Sequence, residues 1–140
     1  MTIPRDLTRD ECVALLAAGT VGRIALCTAD GPHIVPVNYV VDGESIVFRT
    51  SAYSLLGQHD WGSSTVAFEV DELDPVARSG RSVVVRGGAE RIEDSDEVDG
   101  IAWTTDPSPW AGGLRRQYVR IPYAELTGRA VGDEPADPSH

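Results

Sequence analysis

The sequence predicts a mainly β domain, an antiparallel barrel of about six short strands with small helices. Three observations lead there. Two Asp-Gly pairs, Asp30-Gly31 and Asp42-Gly43, sit between β-rich runs, and that dipeptide is among the strongest hairpin signals. Apolar residues alternate in later segments such as Thr65–Val70. Only residues 8–18 combine helical spacing with a start signal and a stop signal.

Taken in order, Thr8-Arg9-Asp10-Glu11 fits a capping box, with threonine at the cap and glutamate three residues on. Cys12, Val13, Leu15 and Leu16 follow at helical spacing, and Gly19 closes the segment. Thr20 to Thr50 reads as three strands broken at the two Asp-Gly pairs. Ser51 to Trp61 is polar and contains glycine, with room for one short helix. Residues 65–70 form a fourth strand. Residues 82–92 form a fifth, bent at Gly87-Gly88. Residues 93–114 are acidic, then rich in Pro, Trp and Gly, and read as a loop. Gln117 to Ile121 is the last predicted strand. Residues 1–129 thus make one domain, and residues 130–140 a polar tail.

Composition removes several classes of function. Net charge is −10 and no basic stripe appears, which excludes a nucleic-acid surface and disfavours acidic membranes. No apolar run approaches the roughly 20 residues of a membrane span, and the charged N-terminus lacks a signal-peptide core. The expected compartment is the cytoplasm. All 12 basic residues are arginine, so any anion must be held by guanidinium, hydroxyl or backbone amide. Cys12 and Cys27 lack metal-site spacing and read as two buried, reduced thiols. His33, His59 and His140 do not form a metal set, and no nucleophile elbow is present.

Two-residue loops at both Asp-Gly pairs fix a register. Tyr39 then faces Ile46 and Val37 faces Phe48 on one apolar side. The other side pairs Asn38 with Val47 and Arg23, and Pro36 with Arg49 and Ala25. That second side gathers two guanidiniums and an amide among small residues. Pro36 removes a ladder donor, so its strand must be an edge or bulged there.

At these residues the chain resembles a family. The run LLAAGTVGRIALCTADGPHIVPVNYVVDGESIVFRT is similar to the pyridoxamine 5′-phosphate oxidase-related, flavin-binding split-barrel proteins. VAFEVDELDP, SGRSVVVRGGAE, Pro109-Trp110 and YVRIPYAELTGR add to the likeness, which covers residues 7–129. The branch it looks like is the one related to nitroimidazole-resistance reductases. The resemblance implies a homodimer of six-stranded antiparallel split β-barrels with FMN at the interface and a small-molecule substrate. It implies an isoalloxazine ring along Val35, Pro36, Val37 and Asn38, and a phosphate at the end of the next strand, Phe48, Arg49 and Thr50, assisted by Ser54. Trp110 of the partner copy would pack near the ring. The flavin carries the electrons in such proteins, so no catalytic side chain is assigned.

Two positions depart from the family pattern. Leu55 stands where members commonly carry a lysine after the Arg-Thr pair, and Arg81 where a tryptophan is frequent. Losing one cation at a phosphate costs on the order of 1–3 kcal/mol, for which Arg23 is one available replacement. An FMN-dependent oxidoreductase therefore stands beside a second reading, a non-catalytic or deazaflavin-binding dimer that has lost tight FMN binding.

Overall fold

The structure is a computed structural model that describes residues 4–51, 56, 59, 61, 65–101 and 116–132. The elements are β1 (Arg5–Asp6), α1 (Arg9–Ala18), β2 (Val21–Thr28), β3 (Gly31–Val41), β4 (Ser45–Ser51) and β5 (Thr65–Asp74). They continue with β6 (Ser79–Gly88), β7 (Glu90–Ile92), α2 (Ser95–Asp99), β8 (Arg116–Pro122) and β9 (Glu125–Val131). The strand order is β1-β9-β6-β5-β2-β3-β4-β8-β7, and every described ladder is antiparallel. The mainly β split barrel expected from the sequence is the observed fold.

The strands number nine among the described residues rather than six. β1 has only two residues, too short to leave a pattern. β7 is the far end of the predicted fifth strand. Past Gly87-Gly88 the chain leaves β5 and β9 and pairs instead with β8. β9 was missed because its inward positions include Gly128 and Ala130, which give no apolar alternation to read. β6 and β8 make no ladder with each other among the described residues but pack closely at their ends. A Cβ on Gly87 would lie 2.6 Å from the Pro122 carbonyl oxygen, so only glycine permits that approach.

α1 starts as predicted. The Thr8 hydroxyl accepts the Glu11 amide at 3.2 Å, and the Glu11 carboxylate accepts the Thr8 amide at 3.0 Å. Its buried face, Cys12, Leu15 and Leu16, covers the barrel interior. There Tyr39 donates its hydroxyl to the Leu16 carbonyl at 2.5 Å and meets Phe68 edge-on, ring centroids 4.9 Å apart. A second, smaller apolar cluster, Val40, Val47, Ile92 and Ile101, lies on the outer side of β3 and β4.

Both hairpin registers differ from the expected ones by two residues. In the first, Ala29 and Asp30 form the loop, and Arg23 faces Pro36. The Thr28 hydroxyl accepts the Asp30 amide at 3.2 Å and draws the turn one residue earlier. In the second, Gly43 and Glu44 form the loop, and Tyr39 faces Phe48. Gly43 has φ +60° while Glu44 does not turn positive, the pattern of a II′ turn with glycine first. The Asp42 amide closes it on the Ser45 carbonyl at 2.9 Å. A shift of two keeps every side chain on its predicted face, whereas a shift of one would have exchanged the faces. Cys27 corrects another expectation: it lies on the outer face of β2 and is exposed, while Cys12 is buried.

Candidate cofactor site at the split

β3 is paired differently along its length. Against β2 its ladder is continuous from Gly31 to Asn38, with no bulge at Pro36. Against β4 the ladder covers only Tyr39–Val41. The two strands therefore part below Tyr39, and this is the split of the barrel.

The direction of the free backbone groups follows from one bond. The Tyr39 amide donates to the Thr20 carbonyl at 3.1 Å, towards β2. Successive residues of an antiparallel strand point their amide and carbonyl to alternate edges. So Val35 and Val37 point their backbone groups to β2, and Ile34, Pro36 and Asn38 point theirs into the split. Pro36, which has no amide, sits where the missing donor has no ladder partner among the described residues. The edge-strand alternative raised from the sequence is the one observed. A planar ligand along this edge would meet the amides of Ile34 and Asn38 and the carbonyls of Ile34 and Pro36.

The side chains alternate as well. Val37 is buried and Val35 half-buried on the interior face, while Ile34, Pro36 and Asn38 are exposed on the outer face. Phe48 is fully buried and meets Trp61 edge-on at 6.0 Å, so it backs β4 from inside the core. Thr50 shares the interior side with Phe48 and lies opposite Gln117 of β8. Arg49 lies opposite Tyr118, on the outer side, and is half-buried. Arg49 and Thr50 thus point to opposite faces, and a group touching both must sit at the end of β4. Ser54, Leu55, Trp103 and Trp110 lie outside the described residues.

Arg23 is not the spare cation the sequence suggested. Its Nη1 lies 2.6 Å from Glu69 Oε1 and 3.3 Å from Asp71 Oδ2, on the neighbouring strand β5. Two carboxylates share that guanidinium. Burial, then the adjacent Asp71, push the Glu69 carboxyl above the usual carboxylate range, although Arg23 pulls the other way.

Sequence reasoning missed the interior wall at this end of the barrel. Trp61 Nε1, His59 Nε2 and Gln117 Oε1 are buried without a hydrogen-bond partner among the described residues, and the His59 and Trp61 rings stand edge-on at 4.7 Å. His59 and Trp61 belong to a segment read only as polar, and no period marks them as interior. Another concavity of about 420 Å³ lies between β1, α1, β5, β6 and β9. Its charged side chains are engaged from within: Arg5 pairs with Glu11 at 3.0 Å, Arg81 with Glu72 at 3.1 Å, and the Asp74 carboxylate accepts the Val76 and Ala77 amides at 3.1 and 3.0 Å. Arg5 and the Thr8 amide hold the Glu11 carboxyl down to about 2.

The chain matches known proteins over nearly its whole length. A family profile described as pyridoxamine 5′-phosphate oxidase covers residues 8–130. An uncharacterized protein of Mycobacterium tuberculosis is 38% identical over 134 residues, 91% of this chain and 86% of that protein. An FAD-binding protein of Mycobacterium smegmatis is 28% identical with a TM-score of 0.70, covering 92% of this chain and 99% of the other. A candidate 5-nitroimidazole antibiotic resistance protein of Bacteroides thetaiotaomicron shares the fold at 16% identity and a TM-score of 0.71, covering 96% and 95%. No helix among the described residues is long and apolar enough to cross a membrane.

Proposed function

Because the chain belongs to the pyridoxamine 5′-phosphate oxidase family, we propose that it binds FMN along the open edge of β3. In this reading it is a flavin-dependent oxidoreductase acting on a small molecule, as a homodimer in the cytoplasm. The single observation that carries the reading is the one-sided pairing of β3. It leaves donors and acceptors along an open strand edge in a fold whose FAD-binding relative is 28% identical. An edge of that kind fits the rim of a flavin ring, which presents both carbonyl acceptors and ring N–H donors. FMN supplies electron or hydride transfer when bound. The chain's own part is to orient the ring with the Ile34–Asn38 backbone and to hold the phosphate at the end of β4, with Arg49 and Thr50.

The outer face supports the dimer. Ile34 is 71% exposed and Val21 53%, and Pro36 and Ala25 lie between them in the register. Covering such a patch removes apolar area from water at about 25 cal/mol per Å².

The second reading, a deazaflavin-binding or non-catalytic dimer, is favoured by Leu55 in the place of a lysine and by Arg23 being engaged by Glu69 and Asp71. Calorimetric titration with FMN separates the two. Wild type binds, and Arg49→Ala weakens binding by about 1.5–3 kcal/mol with the fold retained. Leu55→Lys strengthens binding, and the gain shrinks with salt. Unchanged affinity in Arg49→Ala places the phosphate elsewhere. No binding by wild type or either variant removes FMN and leaves the second reading.

A further inference from the structure

We infer that self-association through the outer face of β2, β3 and β5 is coupled to proton uptake at Glu69. The inference rests on the homodimer proposed above and concerns the regulation of that interface.

The face has two opposed parts. Val21, Ile34, Pro36, Ala25 and Ala67 give it apolar area that favours contact. Among them sits the Arg23–Glu69–Asp71 cluster, two carboxylates on one guanidinium, with one negative charge in excess. The groups facing the cluster offer no second cation at contact distance among the described residues. β3 contributes Pro36 and Asn38. On β6 the register sets Val84 beside Glu69, Ser82 beside Asp71 and Arg86 beside Ala67. Arg86 is itself held by Glu125 of β9 at 3.2 Å, and the exposed Arg129 of β9 stands opposite Ser82, one strand beyond the cluster.

A two-fold dimer brings the same patch of each copy together, so two uncompensated carboxylates are desolvated at once. Glu69 is the member that takes the proton. It is half-buried and touches Asp71, and both features already disfavour its charged form. A partner copy adds desolvation, so the carboxyl is more basic in the dimer than in the free chain. Its folded value lies above the ordinary 4.5, and association raises it further. The dimer therefore gains as pH falls towards that range and weakens as pH rises through it. One proton per protomer sets the limit, about tenfold in the association constant per pH unit for each Glu69 and about a hundredfold for the pair.

Sedimentation equilibrium of the full chain between about pH 5 and pH 8 tests this. The expected result is a dissociation constant that falls as pH is lowered. Glu69→Gln abolishes the dependence and associates tightly at every pH. Asp71→Asn moves the dependence to lower pH, because Glu69 loses its acidic neighbour. Glu90→Gln, an exposed carboxylate on β7, keeps the wild-type slope, which separates the cluster from the general repulsion of a chain with net charge −10. Circular dichroism checks that each variant is folded. Should Glu69→Gln misfold, the shift in Asp71→Asn decides the matter. A dimer whose affinity ignores pH, or a slope that survives Glu69→Gln, overturns the inference and leaves the homodimer standing. A monomer at every pH removes the homodimer and the inference together.

Discussion

β3 has two halves, and they do different work with similar residues. From Tyr39 to Val41 it pairs with β4, the Tyr39 amide also reaches the Thr20 carbonyl just before β2, and Tyr39 and Val40 are buried on opposite faces. From Pro32 to Asn38 it pairs with β2 and, among the described residues, with no strand on the other side, and its residues alternate between inward and exposed. The upper half is scaffold, and the lower half is a strand edge held rigid by that scaffold. Sheet edges are ordinarily a hazard, since they offer unpaired groups to any other chain. Here the lower edge is broken by a proline whose missing amide faces away from β2. A rigid edge with a fixed set of free groups is also what a planar ligand requires.

The sharpest way to break the comparison is to exchange the two halves' chemistry. In Val40→Pro the scaffold half loses an amide that faces β4 and a side chain packed on Val47 and Ile92. A loss of about 3 kcal/mol or more is expected by chemical denaturation, enough to unfold a marginal domain. Pro36→Ala makes the opposite change, adding an amide where β3 has no β4 partner. Its expected effect on stability is small, within about 1 kcal/mol and mainly through the unfolded chain. If Pro36→Ala is as damaging as Val40→Pro, the lower half is structural and the edge is not available to a ligand.

The fold was legible because its signals are local. The capping box at Thr8 and Glu11, the glycine-bearing turns and the alternation in β5 each act over a few residues. The two faces of β3 were legible as well, because moving each turn by one residue shifts the register by two, an even number. Thr28 and Ser45 shifted the loops, through bonds made by their hydroxyls, and a hydroxyl's choice of partner is not visible in a pattern of apolar residues. What the sequence hid was pairing over long separations. Arg23 reads as an isolated cation until β5 is laid beside β2 and brings Glu69 and Asp71 to it. β9 is silent because two of its inward residues, Gly128 and Ala130, are small. His59, Trp61 and Gln117 became interior only through the way β4 and β8 close the end of the barrel.

The claim that the lower half of β3 is the ligand edge is tested most directly by amide hydrogen exchange, residue by residue, with and without FMN. In the free chain the amides of Val35, Val37 and Tyr39 exchange slowly because they face β2, while those of Ile34 and Asn38 exchange fast. With FMN bound, Ile34 and Asn38 become protected and the others change little. Saturating FMN that leaves the Ile34 and Asn38 amides as fast as before would contradict the account, because the flavin would then be bound somewhere other than the open edge of β3.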